Sequence, residues 1–363
     1  MKKSTLFFSA LAALSIVSCS KDDEITLAPP SDGTTVTLNG GAGEASAANA
    51  VYVDLSTDKA DTAVRTSWDL GFYSGTDFRV ILNNTTAGAA KVLTATDLAA
   101  VGAADTIGVK LAISQMAPAA TDYSFFDAVD GNLSNTVIPA VPATAADSKV
   151  IILNRGAGGA PSGTPARPWI KLKVTRNTSG GYTLQYGRIT ETTTFTTVEL
   201  AKDAAYNFKF VSLSNGSIVN VEPKKTDWDF TWSYGVFETL NPPVTGVLVP
   251  YLYSDLITTN YLNGVTASAK VYTSGDVRNA AYTAFNTDSI KTSTFSASRW
   301  TIGSSWRVTS AGQAGTGGTG ALTTRFYVIK DVAGNYYKVK FISMGVSDGG
   351  VRGKPVFEYK LIK

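Results

Sequence analysis

The chain holds 363 residues and no histidine. That absence removes Ser-His-Asp and Cys-His catalysis, imidazole general-base work and imidazole-ligated metal. Cys19 is the single cysteine, so neither an internal disulfide nor a multi-thiolate metal site can form. The soft donors beyond the initiator are Met116 and Met344. Met116 sits mid-chain in Ile113-Ser114-Gln115-Met116-Ala117-Pro118, a loop-like stretch where a ligand has access, whereas Met344 follows the last hairpin. Carboxylates are plentiful but stand in no catalytic frame. Asp54, Asp58 and Asp61 form a loose acidic run that lacks the tight glycine-centred loop of a calcium motif, and it reads as a solvated turn. Gly315-Thr316-Gly317-Gly318-Thr319-Gly320 satisfies G-x-G-x-x-G. A dinucleotide fingerprint needs a strand before it, a helix after it and an acid about 20 residues on. Residues 322–329 read as a strand and Asp331 comes too early, so the motif reads as a flexible loop.

The elements that must position any such residue are strands. In Asp227-Trp228-Asp229-Phe230-Thr231-Trp232-Ser233-Tyr234 aromatic and polar residues alternate with a period of two, which predicts a half-buried strand with Trp228, Phe230, Trp232 and Tyr234 on one face. Ser67-Trp68-Asp69-Leu70-Gly71-Phe72-Tyr73 repeats the pattern with Trp68, Leu70 and Phe72. Both tryptophans are expected in the core. The surroundings match too: Tyr52-Val53-Asp54-Leu55-Ser56 precedes the first and Phe210-Val211-Ser212-Leu213-Ser214 the second, while Ala89-Ala90-Lys91-Val92 and Ser268-Ala269-Lys270-Val271 follow. The spacing then widens, which places an insertion in the second copy, with Pro242-Pro243 and residues 244–261 as the candidate. Each copy ends in a hairpin, residues 169–186 and 326–341, turning at 177–181 and 331–335, where Gly and Asn supply positive φ. The chain therefore reads as a tandem duplication of one all-β unit, with short helices at most in 93–109 and 203–207.

Met1-Lys2-Lys3 is a basic start, and residues 6–17 are an apolar run shorter than the ~20 residues of a membrane-spanning helix. The run ends in Ile16-Val17-Ser18-Cys19, which resembles a bacterial lipoprotein cleavage site. The expectation is a signal peptide over residues 1–18 and lipidation of Cys19, since several acyl chains at ~0.8 kcal/mol per buried CH2 anchor stably. Residues 19–49 read as an acidic, then flexible tether, beginning Ser20-Lys21-Asp22-Asp23-Glu24 and rich in Pro, Gly, Ser and Thr from residue 25. That acidic start is similar to the signal that sends some lipoproteins to the outer face of the outer membrane. Residues 50–204 and 205–363 are then the two β units. A hydrophobic content of 44% supports a core, and a net charge of +3 with scattered Lys and Arg gives no nucleic-acid footprint.

The aromatic-x-x-Leu-Ser and Trp-Asp elements, Ile302-Gly303-Ser304-Ser305-Trp306-Arg307, and a closing stretch of residues 325–341 (Arg-Phe-Tyr-Val-Ile-Lys-Asp through Asn-Tyr-Tyr-Lys-Val-Lys-Phe) resemble the HmuY family. The similarity is best over about 205–363 and traceable over about 50–200. It implies an all-β, surface-exposed bacterial lipoprotein that binds haem without being an enzyme, and it implies outer-membrane placement and an outer-membrane haem transporter as partner. The family holds haem between two axial side chains of one unit, His in some members and Met in others. In this chain that leaves Met116 and Met344 as haem-ligand candidates, with Tyr123 and Tyr282 as fallback phenolates. The alternative is a glycan-binding or adhesion lipoprotein that keeps the scaffold without the haem ligands, holding an apolar or sugar-like ligand in an aromatic cleft. Asp61-Thr62-Ala63, Asp105-Thr106-Ile107 and Asp288-Ser289-Ile290 resemble a short O-glycosylation signal of related surface proteins.

Overall fold

The computed structural model describes residues 29–157, 167–240, 246–309 and 319–363. The expected signal peptide, Cys19 and the first part of the tether lie outside them, as do Pro242, Pro243 and most of the glycine-rich 315–320 motif. Every strand pairing is antiparallel, consistent with an all-β protein. Among the described residues, helix is confined to Gly275–Ala284, Thr287–Lys291 and short 3-10 turns. Among the described residues no helix is long and apolar enough to cross a membrane.

Two five-stranded and two four-stranded sheets carry the fold. One five-stranded sheet runs Thr35–Thr37, Val356–Leu361, Tyr336–Ser343, Arg325–Lys330, Thr266–Val271. The other runs Thr196–Leu200, Tyr182–Arg188, Ile170–Arg176, Ile151–Asn154, Ala89–Val92. The four-stranded sheets run Ile218–Val219, Phe208–Val211, Leu70–Tyr73, Val80–Leu82 and Leu248–Thr259, Phe230–Leu240, Asn49–Asp54, Lys59–Val64. Both anticipated hairpins are present. Arg176 pairs Tyr182 around a turn in which the Asn177 side chain accepts from Ser179 and Gly181 N–H. Lys330 pairs Tyr336 around a turn in which Asp331 accepts from Asn335 N–H.

The cores do not divide the chain at 204/205. One core gathers Leu38, Val51 and Leu55 with Trp232, Trp306 and Tyr359, drawing only on residues before 56 and after 229. Another gathers Leu70, Phe72, Leu153, Leu184, Leu200 and Val211 from the stretch between. The reason is strand exchange. Asn49–Asp54 pairs with Phe230–Leu240, and Phe208–Val211 pairs with Leu70–Tyr73, so each Trp-Asp stretch is laddered to the strand that precedes the other. The first described strand, Thr35–Thr37, closes onto the last, Val356–Leu361.

The hairpin after the second Trp-Asp stretch is longer than the one after the first. Phe230–Leu240 and Leu248–Thr259 have 11 and 12 residues, against 4 and 3 for Leu70–Tyr73 and Val80–Leu82. The long hairpin lies over the turn-rich segment 93–147. Gln115 brackets both backbone groups of Leu252, and Asn84 does the same to Val236. Gly235 is required beside that second clamp, because a Cβ there would stand 2.4 Å from Asn84 Oδ1.

Candidate functional site

Alternation correctly sends Phe230 and Trp232 into one core, and Trp228 is buried as expected but outside that cluster. The ladder begins at Phe230, and Asp229 just before it is turned inward: its N–H donates to Val53 O at 2.7 Å and its carboxylate accepts from Leu55 N–H at 2.8 Å. Asp69 makes the same bonds to the other strand, its N–H to Val211 O and its carboxylate from Leu213 N–H. Asn83 and Asn260 complete each corner by donating to the carbonyls of Trp68 and Trp228. Both indoles are thereby delivered to the seam between the exchanged strands. Trp68 meets Phe210 edge-on at 4.7 Å, and Trp228 meets Tyr52 edge-on at 5.2 Å. The strand read as half-buried is buried on both faces, with Thr231 and Ser233 turned to the same seam.

These two aromatic corners wall a cavity of about 150 Å³. Its polar lining is specific. Glu222 is buried and accepts from Phe208 N–H at 2.7 Å; burial raises its pKa to about 8. Asp127 accepts from Leu82 and Val137 N–H at 2.7 and 2.9 Å, and burial raises it to about 6 against the pull of those bonds and of Arg299. Three donors at the wall, Trp228 Nε1, Thr259 Oγ1 and Arg299 Nε, are buried without a hydrogen-bond acceptor. The Arg299 guanidinium lies against Tyr261 and Trp300 and forms no ion pair among the described residues.

The ligand candidates taken from the sequence lie elsewhere, and none lines this cavity. Met116 is 95% exposed, next to the Gln115 clamp. Met344 is buried, and its sulfur accepts from Arg352 at 3.3 Å. Tyr123 approaches Glu238 at 3.5 Å, and its pKa is raised to about 12 by burial and by that carboxylate. Tyr282 is buried on the Gly275–Ala284 helix; its hydroxyl donates to Lys338 O, and burial drives its pKa upward, away from phenolate. One of the four is solvent-facing and two are buried and already bonded, so they do not assemble an axial pair. The donor set therefore does not fit haem.

The acidic run is structural. Asp54 accepts from Ser56 and Thr57, and Asp58 accepts from Ser31 and from the Tyr359 hydroxyl. Glu222, Asp127 and Arg299 fall outside every motif of the sequence, although Glu222 and Arg299 lie only a few residues from the Trp228 and Ile302 motifs. Only the Trp-Asp duplication hinted at a shared place for Trp68 and Trp228.

Fold and site together define an all-β protein with a ring-sized aromatic cavity in the seam between strand-exchanged sheets. Residues 46–359 match the family model described as HmuY protein, and the chain belongs to the HmuY family. That family is one of non-enzymatic, surface-associated bacterial haem-binding proteins. No curated protein and no solved structure matches the chain.

Proposed function

We propose that this chain is a non-enzymatic surface binding protein, made of two fused copies of the family unit, that holds a small ligand in the seam cavity rather than coordinating haem iron. The observation that carries this reading is the pair of aromatic corners enclosing three buried donors that lack acceptors. Buried donors left unmet cost ~1–3 kcal/mol each, and a bound acceptor recovers that cost. Lipidation at Cys19 holds the protein on the outer face of the outer membrane. A thermal-shift screen of single-ring compounds against wild type and Ala50→Leu tests the seat, because Ala50 lines the cavity and the larger side chain narrows it. Hits should vanish in the variant; hits of unchanged strength would reject the cavity as the seat.

Family membership favours a second reading, haem capture and hand-over to an outer-membrane haem transporter. Haemin titration of wild type and Met116→Ala, oxidised and reduced, separates the two. The seam reading expects no Soret shift in either state. A shift in wild type that disappears in Met116→Ala restores coordination through that sulfur.

A further inference from the structure

Resting on the seam reading, we propose that the cavity takes a small aromatic carboxylate, with its ring between the Trp68 and Trp228 corners and its carboxylate toward Arg299. Size sets the first limit. A cavity of about 150 Å³ accommodates one six-membered ring with a small substituent. The walls set the second. Trp68 with Phe210 and Trp228 with Tyr52 form two right-angled aromatic corners, and an enclosed aromatic ring packs face to edge or offset against such walls.

The polar groups set the third limit. The groups without partners are an indole N–H and a guanidinium N–H, which only donate, and a hydroxyl, which can donate or accept. A ligand that satisfies them presents acceptors. Arg299 is held by Tyr261 and Trp300 and forms no ion pair among the described residues, and a guanidinium in that state is matched by a carboxylate, which accepts two parallel N–H bonds. The lining acids do not compete for it as hydrogen-bond partners: Asp127 is occupied by two backbone N–H groups and Glu222 by Phe208 N–H. An ammonium ligand would instead leave the indole and guanidinium N–H groups unmet and place a second positive charge beside Arg299.

The test uses the full chain and its own tryptophan fluorescence, with benzoate and its uncharged analogue benzamide as probes. Measurements at about pH 5, below the values to which burial raises Asp127 and Glu222, keep both lining acids neutral. Benzoate should quench saturably, benzamide should bind at least tenfold more weakly, and Arg299→Gln should bring benzoate down to the benzamide level. Trp228→Phe keeps a ring wall but removes one donor, and should weaken benzoate several-fold. Raising the pH to about 8.5, where Asp127 and Glu222 are both ionised, should weaken benzoate and leave benzamide unchanged. Equal affinity for the two probes in wild type, or benzoate binding untouched by Arg299→Gln, overturns the carboxylate assignment and leaves the seam as the seat. Failure of both probes to saturate at either pH overturns the assignment together with the seam reading.

Discussion

Asp69 and Asp229 do the same work on opposite sides of the seam, but in different electrostatic settings. Asp69 is paired with Arg155 through two bonds of 2.8 Å and with Arg167 at 2.8 Å, all deep in the protein. Removing one partner of a buried pair strands the others, so Asp69→Ala should cost ~3–5 kcal/mol in denaturant unfolding. Asp229 has no such cation; burial, with Asp54 and Asp331 nearby, raises its pKa to about 8. Glu222 is raised to about 8 as well. For an acid whose folded pKa lies above its unfolded value, the folded state binds the extra proton. The associated stability is complete below the unfolded value, near 4, and is lost as pH rises through about 8. The melting temperature should therefore fall between about pH 5 and 8.5. Glu222→Gln, which keeps an acceptor for Phe208 N–H, should flatten that slope. A melting temperature that climbs across this range in wild type would contradict the burial of both acids.

The strands show where pattern is informative and where it stops. Trp228→Ala opens a void at the seam and should cost ~3–5 kcal/mol, read from the midpoint of chemical unfolding. Because Trp228 packs against Tyr52, far from it in the chain, both sides of the seam should lose stability in one transition. Gly235→Ala should cost ~1–3 kcal/mol by pushing Asn84 off Val236, measured the same way. Period-two alternation made Phe230 and Trp232 legible as core, and turn chemistry made both hairpins legible, because each depends on neighbours in sequence. Trp228 is buried outside their core because Asp229 spends its backbone and side chain on a strand more than 170 residues earlier. The helix Gly275–Ala284 was also missed. It is fixed less by its own pattern than by Lys338, whose amine donates to the carbonyls of Tyr282 and Phe285. Glu222, Asp127 and Arg299 carry no local signature at all; only the exchange of strands brings them to one wall.

At the scale of the molecule, residues 31–363 form one compact unit, and the exchange sets what can be cut from it. Residues 65–222 contain every buried member of the core built on Leu70 and Leu184, together with the strands that ladder it. That fragment should give a cooperative melt by circular dichroism. A fragment of residues 205–363 lacks the strands at 35–37, 49–54 and 59–64 and should not. Co-expressed with residues 31–204 it should recover a single transition; a fragment 205–363 that melts cooperatively alone would show the exchanged strands to be dispensable. The strand exchange resembles that of a domain-swapped dimer, carried within one chain. A swapped dimer of separate chains comes apart on dilution, whereas here the partner strand is always present at the effective concentration set by the linking chain. One chain therefore carries a complete seam and its cavity at any dilution, with no need to meet a second molecule.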